Sequence, residues 1–120
     1  MLDTHVLLHA LTEPERLART RSDAIESPAN AVFASAVSIA EIAIKVSIGK
    51  LRVDVDLLPA VEDAGFEWLD FSPREALRLA ELPLHHRDPF DRMLVVQSQA
   101  NDLALVTDDA KLAAYDCRIL

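Results

Sequence analysis

The chain has 120 residues, with 20 Asp and Glu against 12 Lys and Arg, and a formal net charge of −8 at pH 7 with its four histidines neutral. This length suits a single domain over residues 1–120 with a core of its own, and 51% hydrophobic residues exclude a disordered chain. The lone Cys117 excludes a disulfide framework and a Cys-rich zinc site, and global basicity cannot be the route to nucleic acid, which would need a local basic patch or metal ions. No apolar run approaches the ~20 residues of a membrane span. The start, Met1-Leu2-Asp3, shows no basic segment leading into an apolar stretch. The expectation is a small acidic domain of the cytoplasm, and the useful question is where the acids sit.

In chain order, Met1-Leu2 is a short apolar stretch and Thr4–Leu11 has helical periodicity through Val6, Leu7, Ala10 and Leu11. Pro14 suits a first helical turn, and a polar helix follows to about Ile25. Ser27–Asn30 reads as a loop and Ala31–Ser35 as a buried strand. Ile39, Ile42, Ala43 and Val46 form a helical stripe that Gly49 stops. A helix from about Asp56 to Ala64 ends at Gly65. Phe66–Phe71 has aromatic strand formers. Ser72-Pro73-Arg74-Glu75 is a strong helix start, with Pro first and Glu completing a capping box, and that helix ends near Leu82-Pro83. Asp88-Pro89 opens another helix, Leu103–Thr107 is a continuous apolar strand, Asp108–Tyr115 a short helix, and Cys117–Leu120 a last edge strand. Strands separated by helices predict βαβ units: an α/β fold, a three-layer α/β/α sandwich around a central parallel sheet.

Ligands of such sheets bind at the carboxyl ends of the strands, so the residues just after each apolar run matter most. Asp3 follows the first, Asp108 and Asp109 follow the run ending at Thr107, Glu41 lies in the first turns of the helix after the second strand, and Asp88 and Asp91 begin the helix leading to the last βα pair. In a parallel sheet these carboxylates converge on one edge. Crowded carboxylates raise one another's pKa values and call for a cation. With only oxygen donors the suitable ions are hard ones, Mg²⁺ or Mn²⁺, which keep water and recruit phosphate oxygens. The matching chemistry is phosphodiester hydrolysis. Each acid also has a plainer use. Glu41 completes a capping box with Ser38, Asp88 is a good N-cap before Pro89, Asp91 then complements the helix dipole at N3, and Asp108 or Asp109 can cap the last helix. For Asp3 the sequence offers no such alternative. Caps explain any one acid but not their shared edge.

Four stretches, Leu2-Asp3-Thr4-His5-Val6-Leu7-Leu8, Ser38–Lys45, His86-Arg87-Asp88-Pro89-Phe90-Asp91-Arg92-Met93-Leu94 and Leu105-Val106-Thr107-Asp108-Asp109, taken in order, resemble the PIN-domain family, specifically the VapC-like toxin ribonucleases of toxin–antitoxin pairs. The resemblance implies an acidic Mg²⁺ or Mn²⁺ site that cleaves RNA, with Asp3, Glu41, Asp91 and Asp109 as metal-holding catalytic acids. Asp88 and Asp108 become auxiliary acids, and Thr4 and Thr107 donors to the carboxylates. It further implies a cognate antitoxin protein and a homodimer. Only Met1 and Leu2 precede Asp3, where the family usually has several more residues, which implies either a short central strand or a true start that lies upstream.

Other residues carry two readings each. His5 and His9, at i and i+4, could chelate zinc but have no evident third ligand. His86 and Arg87, with His85 before them, could touch phosphate or simply lie in a solvated loop. Arg92 and Lys45 could grip RNA phosphate or form surface ion pairs. Trp68 belongs to a strand and reads as core rather than as a base-stacking platform. Two rival functions stand beside the ribonuclease: a receiver-like signalling domain, for which Asp70 and Lys111 are poor matches, and an inactive PIN domain that only binds a partner.

Overall fold

The computed structural model describes residues 1–120. Two strands, β1 (Phe33–Ser35) and β2 (Glu67–Leu69), pair in parallel with Phe33 opposite Glu67, Ala34 opposite Trp68 and Ser35 opposite Leu69. Three further rows continue the sheet through single pairings. The Leu2 N–H bonds the Phe33 carbonyl at 3.0 Å, the Asp3 N–H the Val106 carbonyl at 2.9 Å, and the Val106 N–H the Met1 carbonyl at 2.9 Å. Leu105 in turn bridges Ile119, again in parallel. The order across the sheet is therefore β2, β1, Met1–Asp3, Leu105–Thr107, Arg118–Leu120.

The central row is short because α1 (Thr4–Thr12) begins directly after Asp3. A row can pair only where its neighbour runs beside it, so the apolar runs 31–35, 66–71 and 103–107 shrink to three paired residues or to single bridges. Side chains still alternate faces as a pleated sheet requires. Met1 and Leu105 enter one buried cluster with Val37, Leu94, Val95, Leu112 and Tyr115, with Phe33 and Leu69 packed against it. Their chain neighbours Leu2, Val106 and Ala34 enter a second cluster with Val6, Leu7 and Val61, with Trp68 against it. The first cluster is roofed by α3 (Ala36–Ser47) and α6 (Pro89–Ala100), the second by α1, α2 (Arg19–Glu26) and α4 (Leu57–Asp63). This is the three-layer α/β/α arrangement with a central parallel sheet, and Trp68 is part of its core.

Three helices stop the same way, by a residue in the left-handed region that lets two outer N–H groups turn back onto the last carbonyls. Gly49 at φ 72° and Gly65 at φ 74° do this after α3 and α4, as the glycine positions predict. After α6 the same work falls to Asp102 at φ 51°, with the Leu103 N–H on the Ser98 carbonyl at 3.0 Å.

Elsewhere the helices depart from the expected spans. The polar helix expected from Pro14 to Ile25 is broken into a 3₁₀ turn, Pro14–Arg16, and α2, because Leu17 and Ala18 are extended. The last helix is a 3₁₀ segment, Ala110–Ala114. α5 stops at Arg78 rather than near Leu82, its end tightening into i→i+3 bonds. On α3 the buried residues are Val37, Ser38, Glu41 and Ile42, while Val46 is 45% exposed. The expected apolar stripe is thus rotated: two polar residues face inward, and Ile44, Val46 and Ile48 face out.

The start of α5 is as its sequence predicts. Ser72 accepts from the Glu75 N–H and Glu75 accepts from the Ser72 N–H, a complete capping box, and the Asn101 side chain adds a third bond to Glu75 at 2.7 Å. Burial pushes the Glu75 carboxyl upward, but the bonds from Ser72 and Asn101, with the Arg78 charge, outweigh it and hold the pKa below the ordinary value. A depressed pKa stabilises the fold above the unfolded value and ceases to do so as pH falls through the folded one. In urea titrations, Glu75→Gln is expected to cost about 1 kcal/mol at pH 7. The gap to wild type should close between about pH 5 and pH 3; a gap that is constant with pH would assign the loss to shape rather than charge.

Candidate acidic metal centre

Asp3 sits where the central row ends and α1 begins. It is the α1 N-cap: its Oδ1 accepts the Val6 N–H at 2.7 Å, and it is 6% exposed. The sequence offered no structural use for this acid; the short row supplies one, because it places the helix start directly behind the strand. The Thr107 hydroxyl also bonds the Asp3 carboxylate. Thr4 does not serve a carboxylate. Its hydroxyl donates to the buried Ser38 hydroxyl at 3.1 Å and ties α1 to α3.

The capping box expected of Ser38 and Glu41 is absent. The α3 N-cap is Ser35, whose hydroxyl accepts the Val37 N–H, so Ser38 lies inside the helix. Ser35 is fixed by a hydrogen bond to Gln97 of α6, and Gln97 by another to the Asp70 carbonyl. That network anchors the start of α3, and the helical repeat then carries Glu41 inward. Glu41 is 4% exposed. Its Oε1 accepts from the Lys45 ammonium at 2.8 Å, while Oε2 is buried with no hydrogen-bond partner.

Asp88 caps α6, its Oδ1 accepting the N–H of Phe90 at 2.8 Å and of Asp91 at 3.3 Å. Asp91 follows at N3, as expected. Asp109 caps the 3₁₀ segment through the Lys111 N–H at 2.9 Å, and its own N–H bonds the Thr107 hydroxyl at 3.0 Å. Between the last two acids lies His86. Its Nε2 is 3.3 Å from Asp91 Oδ2 and 3.0 Å from Asp109 Oδ2. His86, Asp91 and Asp109 form a cluster whose potential ligand atoms lie within 4.8 Å of one another. Asp3 and Glu41 stand outside that radius but close enough for their charges to act on Asp91.

The electrostatics follow. Burial pushes the Asp91 carboxyl up to about 6, the charges of Asp88, Glu41 and Asp3 push the same way, and His86 pulls against them. Burial also raises Asp3, with Asp108 adding to it and the bonds from Thr107 and Val6 opposing. Asp109 is held low, first by the Lys111 N–H. Lys45 is held high by its bond to Glu41 and by the charges of Glu41, Asp88 and Asp91. An unpaired buried carboxylate oxygen costs about 1–3 kcal/mol or more. Glu41 Oε2, bare beside acids that repel one another, fits a hard divalent cation, and so does a donor set made of carboxylate oxygens.

Two residues named from the sequence are turned to other uses. Asp108 is exposed and pairs with Arg21 of α2, whose guanidinium also holds the Thr107 carbonyl at 2.8 Å. Arg92 folds back onto the end of α5, donating to the carbonyls of Leu79, Leu82 and Pro83 and to the Tyr115 hydroxyl, which commits both of its terminal nitrogens within the protein. Arg87 is exposed and free of protein partners. His5 and His9 stack edge to face with ring centres 5.7 Å apart, and no third ligand joins them. Burial pushes the Cys117 thiol up, away from nucleophile duty. Arg21 and Tyr115 were not singled out from the sequence; nothing in their neighbours marks a contact made across more than eighty residues or beneath a distant loop.

No curated protein matches the chain. Among solved structures, a chain of VapBC2 from Rickettsia felis, solved bound to a DNA fragment from their promoter, matches with a TM-score of 0.74 and 17% identity over 100% of this chain and 96% of that one. At that identity the likeness is one of fold. The family model of the PIN domain matches residues 1–116, which removes the receiver-like reading: the chain belongs to the PIN-domain family.

Proposed function

We propose that the chain is a divalent-metal-dependent endoribonuclease and the toxin of a toxin–antitoxin pair. The observation that carries the reading is the Glu41 carboxylate, 4% exposed, with Oε2 unpartnered near Asp91, whose pKa burial and then the neighbouring acids push up to about 6. Asp3, Glu41, Asp91 and Asp109 would hold Mg²⁺ or Mn²⁺. Such an ion, when bound, activates water and stabilises the charge that grows on phosphorus. The remaining groups position and recruit. Asp88 fixes the first turn of α6 and thereby Asp91. Thr107 joins Asp3 to the backbone of Asp109. Lys45, at the rim with its side chain 38% exposed, and Arg87, exposed outside it, are the cations placed to meet RNA phosphate.

The protein partner is supported by two observations. The similar VapBC2 chain comes from a complex on promoter DNA. In this chain Ile44 at 49% and Ile48 at 59% exposure, four residues apart, leave an apolar patch at the end of α3, suited to an antitoxin or a second copy. No helix is long and apolar enough to cross a membrane.

RNA cleavage with Mn²⁺ tests the chemistry. Asp91→Asn and Glu41→Gln should each lower the rate by about 100-fold or more, and chelation should abolish cleavage by wild type. Activity that survives chelation or both substitutions would sink the mechanism. Stability gives an opposite sign. An Asp whose folded pKa is raised is destabilising while ionised at neutral pH, so metal-free Asp91→Asn should be more stable than wild type at pH 7. The shift implies at most about 3 kcal/mol, and solvent screening reduces this to about 1–2 kcal/mol. A less stable variant would mean that Asp91 serves the fold rather than a cation.

For the biological role, the neighbouring reading frame should encode a small DNA-binding protein that co-purifies with the chain and suppresses cleavage. An active chain with no such neighbour would keep the nuclease and lose the toxin.

A further inference from the structure

His86 occupies an unusual position for a loop histidine before a helix. Its side chain is only 13% exposed, and its backbone N–H and both ring nitrogens have partners. The backbone N–H donates to the Tyr115 hydroxyl at 2.9 Å. The ring Nδ1 accepts the Asp88 backbone N–H at 3.0 Å. Nε2 faces Asp109 Oδ2 at 3.0 Å and Asp91 Oδ2 at 3.3 Å. These contacts decide the tautomer. An N–H pointing at Nδ1 requires a lone pair there, so in the neutral ring the proton is on Nε2. The Asp109 oxygen bonded to Nε2 requires a donor as well. Both ends of the ring give the same answer.

The distances alone would make His86, Asp91 and Asp109 a three-ligand metal site. The tautomer opposes that. Nε2 can bind a metal only after losing its proton, and moving the proton to Nδ1 would set it against the Asp88 N–H. That N–H belongs to the cap of α6, whose first turn carries Asp91. Ligation by His86 would therefore disturb the helix start that positions its fellow ligand. As a donor, by contrast, His86 joins two acids carried on separate elements, α6 and the segment opened by Asp109. Its N–H bonds Asp109 Oδ2 and stands 3.3 Å from Asp91 Oδ2, which eases their repulsion without occupying the lone pairs on their other sides.

We propose that His86 is a positioning residue: locked as the Nε2–H tautomer by the Asp88 backbone, it clamps Asp91 and Asp109 into one cation-holding pair and does not itself become a metal ligand. The proposal rests on the metal-centre reading above and adds a residue that the acidic set does not contain. It also accounts for ion choice. Withholding the imidazole leaves an all-oxygen set, suited to Mg²⁺ and Mn²⁺ rather than to ions that prefer nitrogen.

Two measurements on the full chain test it. Nitrogen-15 NMR of the imidazole rings should show His86 as the Nε2–H tautomer in metal-free protein and again after titration with Mg²⁺ and with Zn²⁺. Transfer of the proton to Nδ1, or a metal-bound Nε2 in the Zn²⁺ form, would overturn the proposal and make His86 a ligand. This needs no variant and so survives any folding defect. Calorimetric titration with Mn²⁺ then compares His86→Ala with His86→Gln, whose amide nitrogen is as many bonds from Cβ as Nε2 and keeps a donor but offers no imidazole. Loss of a partner that orients a ligand lowers metal affinity by about 10–100-fold, so Ala should bind at least about tenfold more weakly and Gln should recover most of it. Ala binding Mn²⁺ as wild type does would overturn the clamp alone. Gln failing as badly as Ala in a folded protein would do the same. Wild type that binds no Mn²⁺ would overturn the metal-centre reading, and the purpose of the clamp with it.

Discussion

Carboxylates gathered at one end of a parallel sheet repel one another, and burial sharpens the repulsion because little water is left to screen it. Most of the local structure around the acids can be understood as a response. Asp3, Asp88 and Asp109 each accept backbone N–H groups at a helix start, where the unpaired donors and the dipole favour negative charge. Lys45 covers one oxygen of Glu41, Thr107 bonds Asp3, and His86 bridges Asp91 and Asp109. What these groups leave unanswered is concentrated in two places: the bare Oε2 of Glu41 and the raised pKa of Asp91. A site in which every acid was satisfied by the protein would have no call for a cation. This one stops short of that.

Capping and ligation are often weighed as competing explanations of an acid near a helix start. Here the two oxygens of one carboxylate divide the work. Asp109 gives Oδ1 to the Lys111 N–H and turns Oδ2 toward His86. Asp3 gives Oδ1 to Val6. The cap removes the rotational freedom of the side chain and so fixes where the second oxygen lies, which a ligand requires in any case. The helix start thus contributes stability and aim through the same hydrogen bond. Glu41 and Asp91 are the exceptions: neither side chain caps a helix, and Glu41, inside α3, is the acid with an orphaned oxygen.

The layers, the parallel order and the shared edge of the acids were legible in the sequence, since they follow from alternation of apolar runs with periodic stretches and from where each run stops. The capping box at Ser72 and Glu75 and the stops at Gly49 and Gly65 were legible because each is a local device with its own chemistry. What local reading missed depends on distant chain. Ser35 rather than Ser38 starts α3, with Gln97 of α6 bonded to Ser35, and on the helix so placed Glu41 points inward and Val46 outward. Arg92 has the look of a cation near a metal site, yet α5 ends early and its carbonyls need donors. Asp108 stands beside Asp109 in sequence but is claimed by Arg21 from α2. In each case propensity and position were right about the element, and a contact from another part of the chain decided which way the side chain went.

The net charge of −8 can be judged in the same terms. Screening confines the influence of exposed charges to about 8 Å in physiological salt, so the bulk of the acids on outer faces bears little on an incoming phosphate at the site. What matters is the local balance: several acids close together against Lys45, with Arg87 outside and Arg92 committed elsewhere. That balance is negative without an ion. A polyanion would therefore be turned away from the bare site and drawn to it only as cations are added. The same deficit that argues against nucleic-acid binding by composition would, on the proposed reading, make affinity conditional on metal, and it would equally favour a basic side chain offered by a protein partner. Inhibition and catalysis would then compete for one patch of unbalanced charge.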